Sequence, residues 1–286
     1  MPTNFHRAPR GQRQTVRVGL LRRARLGRAT SSHHGLQAAC GDRPTYNVRR
    51  ISNHMRTVIK ALVPRTVRNW LRSPSASLRW CAHELQFRLG GPVDVELRPG
   101  WTFRCHPAAA SFARVQQTQD PDQVAEFDCF ISWCSPGMVL FDAGAHFGVF
   151  SLAGLHYGGE MAQVIAIDPS AVACRLLRLH ATLNDVQNRL RVVQAAVAAV
   201  DGTQDLVDAG VAGVHYHVLP ESRHRADEMT HAKAVTLDEV ARTSGLRPTH
   251  IKLDVESAEL AALQGSRQVL SQATPPQCCF SSFTTR

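Results

Sequence analysis

The stretch Met138-Val139-Leu140-Phe141-Asp142-Ala143-Gly144-Ala145-His146-Phe147-Gly148-Val149-Phe150-Ser151-Leu152 decides how this chain folds. A short apolar run, Met138–Phe141, leads into a carboxylate. Two glycines follow, four positions apart, and apolar residues then resume toward a helix. This reads as a buried strand, a glycine turn and a helix opening near Phe147. The same alternation continues downstream. Gln163–Ile167 is a second strand ending at Asp168-Pro169-Ser170, and Ala171–Leu183 is helical. Leu190–Val197 and His250–Val255 give a third and a fourth strand, and Glu256–Leu270 a further helix. Thr236-Leu237-Asp238-Glu239 is a capping box opening a short helix. Residues 201–233 are polar, rich in His and without assignable periodicity. Strands alternating with helices predict an α/β fold, a parallel sheet covered on both faces.

Upstream, residues 92–106 alternate apolar and polar around Pro99-Gly100, a hairpin signal, and Val124–Trp133 reads as a helix stopped at Ser135-Pro136-Gly137. Further back the composition changes. Of the 286 residues, the first 80 hold 17 Lys and Arg against the single acid Asp42, whereas residues 81–286 hold 16 Lys and Arg against 22 Asp and Glu. The net charge of +10 therefore belongs to the leader, and a uniformly basic nucleic-acid binder is disfavoured. Residues 1–54 suit a disordered basic extension. Met55 begins a more protein-like stretch, with Val58, Leu62, Val63, Val67, Trp70 and Leu71 near helical spacing among Arg56, Lys60, Arg65, Arg68 and Arg72, and it is the expected functional start. Residues 55–125 form a helical and hairpin leader region, 126–274 the α/β domain, and 275–286 an anomalous tail.

The eight cysteines make no CxxC pair, which argues against a zinc ribbon, and no secretory leader opens the chain, so a cytoplasmic setting is expected. The apolar run Met138–Gly159 is a poor membrane span, because Asp142 and interior glycines interrupt it. His215, His217, His224 and His231 lack carboxylate-supported helical spacing and read as a solvated loop rather than a metal site.

Ligands of open parallel sheets bind beyond the carboxyl ends of the strands, where connections leave in opposite directions. Gly144, Ala145 and Gly148 allow close backbone approach there, and the following helix presents free N–H groups. Asp168 ends the second strand, where a carboxylate suits the two hydroxyls of a ribose; an exposed turn aspartate before proline is the alternative. Gln194 ends the third strand and either borders a base or simply closes a buried strand. On the fourth strand, alternation places Lys252 and Asp254 on one face. Glu256 and Glu259 fall where first-turn acids commonly offset a helix dipole.

Together these pieces resemble the FkbM family of S-adenosylmethionine-dependent methyltransferases. The resemblance rests on Asp142 to Leu152, on Asp168-Pro169, Leu183-Asn184 and Thr236-Leu237-Asp238, and on Lys252 to Glu259. It spans about Glu126 to Thr274. It implies a class I methyltransferase (Rossmann-like) sheet and O-methylation of a small-molecule or sugar hydroxyl. Asp142 and Gly144 would hold the methionine end of S-adenosylmethionine and Asp168 its ribose, while Lys252, Asp254 and Glu256 match the second signature. Asp254, then Glu256 and His146, are the candidate general bases.

Two departures stand out. Ser257 replaces a glycine usual in the family. After Thr274 the chain lacks the expected fifth apolar strand, so the fold is expected to miss its C-terminal strands, with the fourth strand left as a bare edge and activity compromised. Permissible codons for the residues from Gln277, shifted by one base, encode an apolar strand, so a frameshift is the expected cause. Two other functions fit parts of the chain. An NAD-dependent oxidoreductase also uses a ribose-binding acid but needs GxGxxG spacing, and an RNA-directed protein would use the basic arm.

Overall fold

The computed structural model describes residues 74–118, 120–208, 216–217, 229–255 and 258–280. The expected start at Met55, the basic extension, Glu256 and Ser257 lie outside these residues.

A 17-residue helix α1 (Pro74–Gly90) precedes the hairpin β1 (Val93–Arg98) and β2 (Trp101–Cys105), which pair antiparallel with Gly100 at φ +81° in the turn. Helices α2 (Pro107–Thr118) and α3 (Pro121–Trp133) follow. The last starts earlier than periodicity alone predicts, because Asp120 accepts the N–H of Asp122 and Pro121 occupies the first turn, where its missing N–H costs nothing.

The α/β part runs β3 (Val139–Ala143), α4 (Val149–Tyr157), β4 (Gln163–Asp168), α5 (Ala171–Leu183) and β5 (Leu190–Gln194). After a second sheet come α6 (Leu237–Ser244), β10 (His250–Leu253), α7 (Glu259–Gln264), α8 (Arg267–Leu270) and β11 (Gln277–Phe280). The five parallel strands lie in the order β11-β10-β3-β4-β5, so the chain winds outward from β3 and then returns to its other side. β3 and β10 flank the switch point.

Strand alternation sorts the core into two. Leu140, Val164, Ala166 and Leu190 point to one face, where they join Leu152 and Leu177 and also Leu97 and Phe103 of the hairpin. Phe141, Ala143, Ile165, Ile167, Ile251 and Leu253 point to the other, against Leu237, Val240 and Val269. Lys252 and Asp142 are register partners on neighbouring strands, both fully buried on the hairpin side.

Four expectations change. The third strand stops at Gln194. Beyond Ala195, whose N–H is held by the Asp168 carbonyl, Ala196–Val197 (β6) crosses to a second sheet of order β6-β9-β7-β8. Residues 201–233, unassigned from periodicity, supply most of that sheet through β7 (Gly202–Asp208), β8 (Tyr216–His217) and β9 (Met229–Val235). The single helix expected after β10 is two short ones, because at Gly265 the chain passes so close to Ala198 that a Cβ would lie 2.2 Å from its carbonyl oxygen. The bare edge expected at β10 is covered. Gln277–Phe280 pairs parallel along it, from His250 with Gln277 to Leu253 with Phe280.

Candidate active site

The glycine turn after β3 is built by contacts within the protein. Gly144 has φ +77°, and a Cβ there would lie 2.0 Å from the carbonyl oxygen of Asp254. Only glycine allows the ends of β3 and β10 to come this close. Gly148, at φ +84°, caps α4, and a Cβ on it would meet the Leu177 side chain at 1.9 Å, so its lack of a side chain seats α5. Gly144 and Ala145 both donate their N–H groups to the carbonyl of Ile167, pinning the turn to β4.

Three carboxylates end adjacent strands around this turn. Asp168 is buried. Its Oδ1 accepts the N–H of Ser170 and its Oδ2 the N–H of His146, each at 2.8 Å. Burial pushes its pKa up to about 6 despite these two donors. Asp142 accepts the Ser151 hydroxyl at 2.5 Å through Oδ2, while its buried Oδ1 has no hydrogen bond and lies 3.7 Å from the Lys252 ammonium. Burial raises the pKa of Asp142, with Lys252 and Ser151 opposing. Lys252 Nζ donates to Asp254 Oδ2 at 3.2 Å and stands 4.6 Å above the ring of Phe150. Burial works against its charge, but Asp254 and Asp142 outweigh it and raise the pKa of the ammonium. Asp254 is half-buried at the strand tip.

The structure thus brings Asp142, Gly144, Ala145, His146, Asp168 and Asp254 to one end of the sheet. Gln194 sits exposed at the same end, opposite Asp168 in register. Glu256 lies outside the described residues. Among the histidines of the polar segment, His231 pairs with Asp205 on the second sheet. Among the described residues no group of three or more His, Cys, Asp or Glu is placed to hold a metal ion.

Periodicity did not reveal the supports of the turn. His146 has φ +50°, and its ring lies against Phe112 of α2 and Phe147. His180, buried in α5, links the turn to the hairpin: Nδ1–H donates to the Phe147 carbonyl at 2.8 Å and Nε2 accepts the His106 N–H at 3.1 Å. Burial lowers its pKa to about 4, and the two hydrogen bonds place its single ring proton on Nδ1. A histidine on an otherwise apolar helix face was the only sequence signal for this role. Ser151 lies inside the opening motif, but its bond to Asp142 is visible only in the folded structure.

A parallel sheet reversing direction beside β3, a glycine turn at that point and acids after β3, β4 and β10 define a class I methyltransferase-like, Rossmann-like α/β domain. Residues 142–280 match the model of the methyltransferase FkbM domain family. No curated protein matches the chain. Solved structures similar to it include a SAM-dependent methyltransferase from Agrobacterium tumefaciens (13% identity over 64% of this chain and 50% of that one, TM-score 0.37). Another is the C-terminal domain of precorrin-6Y C5,15-methyltransferase from Rhodobacter capsulatus (13% over 55% and 61%, TM-score 0.33). A third is P. horikoshii TYW2 in complex with MeSAdo (16% over 50% and 63%, TM-score 0.28). In all three the match spans less than two thirds of the other chain. No helix among the described residues is long and apolar enough to cross a membrane.

Proposed function

We propose that the protein is an S-adenosylmethionine-dependent O-methyltransferase acting on a small-molecule or sugar hydroxyl. The observation that carries this reading is the convergence of Asp142, Lys252 and Asp254 beside Gly144, where β3 and β10 part. The residues suit the cofactor. The buried Oδ1 of Asp142 lacks a hydrogen-bond donor, and Asp168 uses one acceptor site on each oxygen, leaving others for ribose hydroxyls. Gln194 and Ala195 would border the base. When bound, the cofactor supplies an activated methyl group on a sulfonium.

The protein's own task is then to align the acceptor and remove its proton. Asp254 is the proposed base, since Lys252 holds its Oδ2 and leaves Oδ1 for a hydroxyl proton. His146 is the second candidate, its ring oriented by Phe112 and Phe147. Glu256 is retained as a third. Binding of the cofactor by calorimetric titration is the direct test. Micromolar binding is expected, weakened about tenfold or more in Asp168→Asn, which replaces a charged acceptor with a neutral one. A folded sample that does not bind S-adenosylmethionine, or that binds NAD instead, would overturn the proposal.

A further inference from the structure

The charges at the carboxyl end of the main sheet do not cancel. Across the described residues where β3, β4, β5 and β10 end (142–148, 168–170, 194–196 and 252–255), the acids are Asp142, Asp168 and Asp254, and Lys252 is the sole Lys or Arg. Its ammonium is shared between Asp254 Oδ2 at 3.2 Å and Asp142 Oδ1 at 3.7 Å, and Glu126 of α3 acts on it as well. One positive charge therefore serves two carboxylates. Asp168 is held by the N–H groups of His146 and Ser170, which carry no net charge.

Asp142, Asp168 and Lys252 are buried, so like charges are screened little there. Burial raises the pKa of Asp142 and the charge of Asp254 adds to the rise, while Asp142 does the same to Asp168. Asp142 is the least satisfied of the three, since its buried Oδ1 accepts no hydrogen bond. A cleft with a surplus of one sign of charge between low-dielectric walls prefers the oppositely charged of two ligands that share a shape. S-adenosylmethionine and S-adenosylhomocysteine are such a pair. Both carry an ammonium and a carboxylate, and only the first adds the positive charge of a sulfonium. Giving up the methyl group removes that charge.

We propose that the surplus of Asp142, Asp168 and Asp254 over Lys252 makes this site select the sulfonium cofactor over its neutral thioether product. The inference rests on the methyl-transfer reading and adds to it a way of releasing product that needs no moving part. Spent cofactor is held less tightly than fresh cofactor because the attraction ends with the charge. Asp254, the most exposed of the three acids, is the one whose charge can be removed with least disturbance of the core.

Sinefungin separates charge from shape, because a carbon bearing an ammonium replaces its methylated sulfur. In calorimetric titration of the full-length protein near neutral pH, S-adenosylmethionine and sinefungin are both expected to bind about tenfold more tightly than S-adenosylhomocysteine. Asp254→Asn keeps the shape and removes one charge. It is expected to reduce the preference to about threefold or less, with the affinity for S-adenosylhomocysteine changed by less than about twofold. S-adenosylhomocysteine bound as tightly as S-adenosylmethionine, or more tightly, overturns the inference and leaves the methyl-transfer reading standing. Sinefungin bound as weakly as S-adenosylhomocysteine overturns it in favour of contacts to the methyl group. A preference undiminished in both Asp254→Asn and Asp142→Asn overturns its assignment to these carboxylates. A folded protein that binds none of the three ligands overturns both the inference and the reading beneath it.

Discussion

Lys252 shows why single residues at this sheet end are sensitive. Its ammonium lies between Asp142 and Asp254 on strands that are register neighbours, in a place water does not reach. Breaking a buried pair by removing one partner costs about 3–5 kcal/mol, because the remaining charge stays desolvated. Lys252→Met is expected to lower stability by that order in urea unfolding, and Asp142→Asn added to it should cost clearly less than the two single changes summed. Strict additivity would show that the two groups are not coupled. His180 gives the second residue-scale prediction. Its folded pKa of about 4 lies below the ordinary 6.5, so the unfolded chain binds the extra proton first as pH falls. Stability contributed by the neutral ring is complete above about pH 6.5 and is lost progressively toward pH 4, by up to roughly 3 kcal/mol. His106 and His250, also lowered by burial, act in the same sense. Asp168, raised to about 6, acts in the opposite sense, since the folded protein takes up its proton first as pH falls through about 6 and is relieved of a buried charge. Thermal midpoints between pH 7 and 4 should therefore fall less steeply for His180→Gln than for the parent. An unchanged slope would remove His180 from the account.

At the scale of elements, the N-cap half of the capping box that the sequence announces opens α6, while the Glu239 carboxylate binds Arg242 instead of returning to the Thr236 N–H. The Thr236 hydroxyl accepts the N–H of Glu239 at 3.0 Å, and Gly245 closes the helix at φ +72°. Thr236→Ala is expected to cost about 1 kcal/mol in chemical unfolding and Thr236→Ser much less. Equal losses would assign the effect to methyl packing instead of the cap. The same box reaches further than its own helix. Asp201 accepts the N–H of Thr236, and Asp238 accepts the N–H groups of Gln268 and Val269 at the start of α8. A local motif thereby ties the second sheet and the broken helix to the main sheet. The break itself was not legible, because its cause is Ala198, remote in sequence, lying against Gly265.

For the molecule as a whole, β11 matters because it covers the edge of β10, the strand that carries Lys252. Removing residues 277–286 should expose that edge, lower the thermal midpoint and increase light scattering at micromolar concentration. A deleted chain that stays monodisperse with an unchanged midpoint would show that the pairing contributes little. The sequence by itself determined the element types, the glycine turn and the acids at the strand tips, because periodicity, caps and turn chemistry act over a few residues. It also placed Asp168 and Asp254 at strand ends through simple alternation. It did not reveal that Ala196 leaves the sheet, that polar residues 202–208 and 229–235 pair as strands, or that Gln277–Phe280 pairs despite its mixed composition. Those outcomes depend on backbone partners supplied by distant strands. Only the tertiary structure decided that the tight approach at Gly144 is to the Asp254 carbonyl and that Lys252 neutralises Asp142. It likewise decided that His180 and Phe112 hold the turn. Each is a contact between residues far apart in the chain, and burial, which sets its strength, exists only once the layers have closed.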